Sequence, residues 1–479
     1  MAVEEQKISS IVEQVMARLR DEGALPAGHG PVRGPAIVTN VNKPGTFGVH
    51  NDIDGCVQAA QAAHEQLMRL SLEVRANAIQ AIRDVAVANA PELARKAHEE
   101  TKMGRVEDKI AKNRLAALKT PGIEILQPKA QTGDYGLTLT ERAPYGVICS
   151  ITPSTNPTET IINNAIGMIA GGNAVVINPH PNAKKTTVDT VRMLNQAVMA
   201  AGGPDNLICV IPEPTIESAD RLMRHSGVRL VVVTGGPGLV KAAMGTGKKC
   251  IAAGPGNPPA LVDETAILPN AARDIVKGAG MDNNIICIVE KEIIAVEAIA
   301  DRLKQELVRA GAYYIRDNVV PKLVDLVLKG HEPNRAFVGR NASVILKQVG
   351  IDIPDDVRIA FCEVDEEHPL VQAEQLMPII PMFRVRNVDE GIKAALRVEH
   401  GFRHTAVMHS LNIENLHRYA RAADCSIFVK NAPSLAGTGF MGEGHTSWTI
   451  ASPTGEGMTT AINFTRERRC MLKDYFRIV

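Results

Sequence analysis

Between residues 146 and 233 the chain alternates short, β-branched apolar runs with longer stretches of helical character, and that rhythm points to a parallel α/β architecture. Residues 146–151, 174–178, 207–211 and 229–233 read as strands, and runs such as Leu230-Val231-Val232-Val233 are apolar on both faces. Stretches 158–170, 183–201 and 216–225 read as the helices between them. Parallel neighbours need crossovers of about a dozen residues or more, which these helices supply. A second α/β unit is expected over 256–452, with strands at 260–262, 379–385, 406–409 and 426–429. At 479 residues the chain is too long for a single core, so two large domains are expected.

Composition narrows the function classes. Lys plus Arg and Asp plus Glu each number 53, so no net field favours nucleic acid or an anionic membrane. No uncharged apolar run approaches the length of a membrane span. The eight cysteines are scattered without a C-x-x-C pair, which argues against a zinc site or a disulfide framework and for a reducing compartment. The N-terminus mixes charges and has no apolar core segment, so no secretory signal is expected.

Two features carry chemistry. Thr234-Gly235-Gly236-Pro237-Gly238 follows a strand and opens a short helix, where bare backbone N–H groups can receive a dinucleotide pyrophosphate. Cys287 lies in Met281-Asp282-Asn283-Asn284-Ile285-Ile286-Cys287, downstream of the turn Ala253-Gly254-Pro255-Gly256-Asn257-Pro258-Pro259, which holds no carboxylate. A thiolate adds to an aldehyde carbonyl, and the adduct releases hydride to a nicotinamide to leave an acyl thioester. Passing that acyl group to water calls for a nearby general base. Passing it to a second thiol calls for much less.

The segments Ala143-Pro144-Tyr145-Gly146-Val147 through Ala170-Gly171-Gly172-Asn173-Ala174-Val175-Val176, Val233-Thr234-Gly235-Gly236, Gly254-Pro255-Gly256-Asn257-Pro258-Pro259, Glu374-Gln375-Leu376-Met377-Pro378 and Pro453-Thr454-Gly455-Glu456-Gly457 occur in this order. Together they resemble the aldehyde dehydrogenase superfamily, and within it the CoA-acylating propionaldehyde and acetaldehyde dehydrogenases of bacterial microcompartments. The resemblance implies an α/β fold with a Rossmann-type cofactor domain, an α/β catalytic domain and a small β oligomerisation arm. It implies Cys287 as nucleophile and coenzyme A as acyl acceptor. Glu374 would bind the nicotinamide ribose.

Departures from the hydrolytic relatives bear on the chemistry. An ungapped match of their Glu-Leu-Gly-Gly-Lys-Ser-Pro turn puts Ala253 where they carry a general-base Glu. It puts Asn178 and Pro181 where many hold the adenosine ribose with Lys and Glu, with His180 between, which leaves NAD against NADP open. Their Pro-Trp-Asn-Phe-Pro reads here Pro153-Ser154-Thr155-Asn156-Pro157, so the family asparagine falls on Thr155. Asn156, one place late, is the preferred side-chain oxyanion donor, with the Cys287 backbone N–H as the other. The expected cofactor contacts are Pro153, Thr155, His180, Thr234, Gly235, Gly236 and Glu374, and no metal site is expected. Of the histidines, His400, His404, His409 and His445 read as structural. The glycine-rich stretch 437–446 is expected to line a substrate funnel and let a pantetheine arm pass close to backbone.

At the N-terminus Ile8, Ile11, Val12, Val15 and Leu19 make one apolar stripe, and residues 21–45 are rich in Gly, Pro and Ala. A targeting helix over 1–20 on a flexible linker over 21–45 resembles the encapsulation peptides that engage microcompartment shell proteins. The remaining expected boundaries are 46–120 with 144–255 for the dinucleotide-binding domain, 256–452 for the catalytic domain, and 121–143 with 453–479 for an arm. A strand-rich excursion such as 135–140 leaves an edge that a second subunit would cover, giving a homodimer or homotetramer. The implied reaction is oxidation of a short aliphatic aldehyde to acyl-CoA with NAD in the lumen of a microcompartment in the bacterial cytoplasm. The alternatives are a hydrolytic aldehyde dehydrogenase and a non-catalytic shell-associated adaptor.

Overall fold

Five strands form the first sheet of the computed structural model, which describes residues 47–330 and 332–479. Across the sheet they run Ile208–Val210, Ala174–Asn178, Val147–Ile151, Val228–Thr234 and Lys249–Ala253, every pair parallel. The first strand in sequence therefore lies between the second and the fourth. At that switch point the crossovers leave to opposite sides, and a crevice opens beyond the carboxyl ends. The helix Pro157–Ala170 is buried along its whole length, because it packs between the sheet and the helices Leu72–Ala88 and Val106–Lys119. Ile53, Ile79, Ile82 and Leu93, from helices earlier in the chain, share one core with Ile148 and Val231 of this sheet.

A second, seven-stranded parallel sheet follows, in the order Tyr313–Tyr314, Ala360–Glu363, Ile379–Val385, Glu292–Val296, Pro259–Val262, Thr405–His409 and Ile427–Lys430. It has its own core, in which Leu261, Ile294, Phe383 and Val407 are fully buried or nearly so. A third, antiparallel sheet joins Lys129–Gly133, Gly136–Pro144 and Thr465–Lys473, so the two segments expected to form an arm pair with each other. Most of that sheet is exposed. Residues 46–479 form one compact unit. The amphipathic stripe of residues 1–20 and the linker 21–45 lie outside the described residues.

The expected strands are all present within a residue or two. Three others of four or more residues in the two large sheets, Lys249–Ala253, Glu292–Val296 and Ala360–Glu363, were not expected, nor was the two-residue strand Tyr313–Tyr314. Each of the three is four or five residues long and mixes an Ala or a charged end with its apolar residues, so periodicity cannot separate it from a helix segment.

The loop before Cys287 is the least ordinary backbone in the chain. Asp282, Asn283 and Asn284 have φ of 49°, 54° and 68°, three consecutive left-handed residues without a glycine. Asn and Asp tolerate this region better than other side chains because they bond locally. All three are fully buried, and their side chains reach Arg105, Asn341 and Ala279. Gly104 makes the approach possible: at φ 73° a Cβ there would lie 1.9 Å from Asp282 Oδ1. Gly104→Ala therefore meets both a clash and a strained backbone, and is expected to lower stability by about 1–3 kcal/mol or more, read as a fall in Tm by calorimetry.

Candidate active site

Between the carboxyl ends of the first sheet and the amino ends of the second lies a cavity of about 1060 Å³. Pro153, Thr155 and Asn156 enter its wall from the segment after strand Val147–Ile151. Thr234, Gly235 and Gly236 enter from the end of the neighbouring strand Val228–Thr234, and His180 from the loop after Ala174–Asn178. Cys287 and Glu374 come from the second sheet's connections. All nine expected site residues thus meet at one cavity, as the switch-point topology requires.

Cys287 follows the left-handed loop and is half-buried, with its side chain on the cavity wall. Burial pushes the thiol up to about 12, Glu374 adds to the shift, and the ammonium groups of Lys291 and Lys112 oppose it. Glu374 is itself pushed up to about 7 by burial, against the pull of Lys291 and the Gly256 N–H. Lys291 is buried and donates to Asn284 O at 2.6 Å, Asn284 Oδ1 at 2.8 Å and Ile286 O at 3.2 Å, so it braces the cysteine loop from within. Ala253 is buried on the cavity wall at the end of its strand. The carboxylates lining the cavity are Glu374 and Asp220, and Asp220 is paired with Arg224 at 2.9 Å.

Asn156 occupies the N-cap position of helix Pro157–Ala170 but makes no side-chain cap. Its Oδ1 accepts from Lys112 Nζ at 2.6 Å, and its Nδ2 donates to Thr155 Oγ1 at 3.1 Å. Thr155 and Asn156 therefore do not compete for one place. The hydroxyl receives the amide, and the second N–H of Nδ2 is left over.

The glycine turn fits an anionic group only in part. Gly235 N–H is already bonded to Ala253 O at 3.1 Å, so that amide is not a free donor, contrary to the expectation that the whole turn is bare. Gly236 and Gly238 have open space where a Cβ would stand, at the N-cap and second residue of helix Pro237–Met244. First-turn amides have no partner within the helix, and the dipole there favours negative charge. A dinucleotide pyrophosphate fits this cradle. Asn178, at the position where relatives bind ribose, is spent on accepting from Ser218 Oγ at 2.6 Å. His180 lines the cavity with Arg335, and its ring is held below the ordinary histidine range by burial first and that guanidinium second.

The stretch 437–446 contributes Thr438 and Phe440 to the cavity wall, and its Gly437 and Gly442 serve packing instead. A Cβ on Gly437 would meet Ile427 at 2.3 Å, and one on Gly442 would meet the Ala436 carbonyl at 2.4 Å. None of His400, His404, His409 and His445 lines the cavity. His404 nevertheless sits directly behind it: a Cβ on Gly256 would stand 3.0 Å from His404 Cγ and 2.7 Å from the Cys287 carbonyl. Its ring is pushed down to about 4 by burial, and Nε2 has no partner among the described residues. Lys112, Asp282, Lys291 and Arg335 carried no signal in the sequence beyond the polar run 282–284 itself, which is out of place among apolar neighbours.

The sequence profile of the Aldehyde dehydrogenase family matches residues 35–316. The chain belongs to the aldehyde dehydrogenase family. An acetaldehyde dehydrogenase (acetylating) of Bilophila wadsworthia is 47% identical over the full length of both chains. A Rhodopseudomonas palustris propionaldehyde dehydrogenase, solved with bound CoA and an acylated cysteine, is 49% identical with a TM-score of 0.88 and covers 89% of this chain and 98% of its own. The propionaldehyde dehydrogenase of the Clostridium phytofermentans fucose-utilisation bacterial microcompartment is 46% identical with a TM-score of 0.89, covering 90% of this chain and all of its own. In this aldehyde dehydrogenase the cavity wall carries the Cys287 thiol and, at position 253, an alanine.

In the free enzyme the thiol is largely protonated near neutrality, so alkylation of Cys287 by iodoacetamide is expected to keep accelerating as pH rises past 9. Glu374→Gln removes a negative charge that raises the thiol. It should speed alkylation several-fold above pH 7, where Glu374 is ionised, and change little well below it. Rates from peptide mapping across pH check both.

Proposed function

We propose that this chain oxidises a short aliphatic aldehyde to its acyl-CoA through a cysteine thioester, and that the observation carrying this is Cys287 on the cavity wall with Ala253 where a hydrolytic enzyme holds its base. The Cys287 thiol adds across the aldehyde carbonyl, sulfur to carbon and its proton to the oxygen, while Asn156 Nδ2 and the Cys287 N–H receive that oxygen. NAD, when bound, would supply the hydride acceptor for the adduct carbon, and the adduct's O–H proton is released as the acyl thioester forms. Glu374 holds the nicotinamide ribose, and the first-turn amides at Gly236 and Gly238 hold the pyrophosphate, with Thr234 and Pro153 closing the wall. CoA sulfur then attacks the acyl carbon and the Cys287 sulfur leaves. One thioester replaces another, so the step is close to neutral and reversible.

Ordered by role, residues 46–120 and 144–255 form the dinucleotide-binding domain and 256–452 the catalytic domain. Residues 121–143 and 453–479, which pair in the exposed antiparallel sheet, form an arm through which subunits associate as a dimer or a dimer of dimers. The 1–20 stripe docks on a microcompartment shell protein, and the similarity to a microcompartment enzyme supports that location. No described helix is long and apolar enough to cross a membrane.

Cys287→Ala is expected to abolish NADH formation, and full CoA-dependent activity in that variant would remove the residue from the reaction. Steady NADH formation from propionaldehyde or acetaldehyde should require CoA; equal rates without CoA would assign the hydrolytic reaction instead. Removal of residues 1–20 should leave turnover intact and end co-purification with shells, and lost turnover with retained targeting would reverse that assignment.

A further inference from the structure

Lys112 stands on helix Val106–Lys119 and is 1% exposed, yet it touches the wall of the catalytic cavity. Its ammonium donates to Asp282 Oδ2 at 2.5 Å and Asn156 Oδ1 at 2.6 Å, and lies 3.2 Å from Glu159 Oε1. It also sits 5.5 Å from the centre of the Trp448 ring. Two of its N–H groups bond Asp282 and Asn156, while Glu159 Oε1, which has no hydrogen-bond partner among the described residues, pairs with it by charge alone.

The contact with Asn156 decides which way that amide faces. An ammonium has donors only, so the atom it meets is the amide oxygen, and Nδ2 is fixed as the other end. An asparagine at the head of a helix ordinarily turns its oxygen onto the first-turn N–H groups. Asn156 does not, because Lys112 draws the oxygen away. The other end of the amide is then a donor; it bonds Thr155 Oγ1, and Asn156, Thr155 and Cys287 all line the one cavity.

Charge completes the picture. Lys109 and Lys112 face Asp282 and Glu159, two cations against two anions, all buried. Glu374 and Lys291 are the other charges that bear on Cys287, and Lys112 acts on it with Lys291. Removing the Lys112 cation leaves one uncompensated negative charge near the thiol, where low polarity strengthens its effect.

We propose that Lys112 is a positioning residue of the oxyanion site: its buried ammonium holds Asn156 with the amide N–H toward the reacting carbonyl oxygen and neutralises the acidic pair beside Cys287. This deepens the cysteine mechanism proposed above and rests on it.

The test compares Lys112→Met, Lys112→Arg, Asn156→Ala and the Lys112→Met/Asn156→Ala double variant in the full-length enzyme. The readouts are the NADH burst with aldehyde before CoA is added, the aldehyde KM, and the pH profile of Cys287 alkylation. A lost oxyanion donor costs about 10²–10³ in rate, and a misaimed one somewhat less, so the Lys112→Met burst should slow about 10- to 100-fold with little change in KM. The double variant should be slower than Asn156→Ala only by the factor by which Lys112→Met slows Cys287 alkylation, because both remove the same donor. The alkylation profile of Lys112→Met should move to higher pH, and Lys112→Arg should restore it. Lys112→Met/Glu159→Gln keeps the interior neutral and guards against misfolding; it should alkylate as wild type while its burst stays slow. An unchanged burst in Lys112→Met or in this neutral pair, or losses that multiply in the double variant beyond the slowing seen in alkylation, would overturn the proposal. Failure of the underlying mechanism looks different: Cys287→Ala would then keep the burst.

Discussion

The Asp282 carboxylate, fully buried, accepts from Lys109 Nζ, Lys112 Nζ and the Arg105 backbone N–H, and the catalytic wall depends on that one group. Burial alone would push it toward the neutral acid, but the two ammoniums outweigh burial and hold it below its ordinary value. Burying ions costs several kcal/mol each, and only close pairing with every lone pair used offsets the cost. Here the pairing also holds three left-handed residues in a row, a conformation each would otherwise leave. Charge in the interior is thus converted into a fixed backbone path, and that path ends at Cys287.

The same cluster ties distant parts of the chain together. Helix Val106–Lys119 supplies the cations, the connection after the first strand supplies Asn156, and the loop after helix Leu268–Ala279 supplies Asp282. A side chain from each meets at one ammonium, so the nucleophile and the amide beside it are held by common bonds. On the far side Lys291 binds the Asn284 and Ile286 carbonyls, and its charge also reaches Glu374. The cysteine lies between two buried ammoniums and one carboxylate, and the balance among them sets how readily its proton leaves.

Much of the fold was legible because its signals are local. A parallel strand buried on both faces must be apolar along its length, so 174–178 and 229–233 announce themselves. The strands Glu292–Val296 and Ala360–Glu363 did not, because a few apolar residues beside a charged one fit a helix as well. The ordered motifs pointed to Cys287, Thr234, Gly236 and Glu374 as candidates, and the structure brings these four to one cavity. Gly235 was misjudged as a free donor because its bond to Ala253 spans strands, and the glycines at 437 and 442 were misjudged because the neighbours they accommodate come from elsewhere in the sequence.

By itself, then, the sequence determined the α/β class and the family, and it pointed to Cys287 as the thiol to propose and to an alanine, not a carboxylate, at position 253, since each is written in residue type and order. Which cations would be buried beside that thiol, which end of the Asn156 amide would face the cavity, and which backbone amides would remain unbonded were decided only by the tertiary structure. Those properties belong to pairs such as Lys112 with Asp282, 170 residues apart, whose attraction is strong only once folding has removed the water between them.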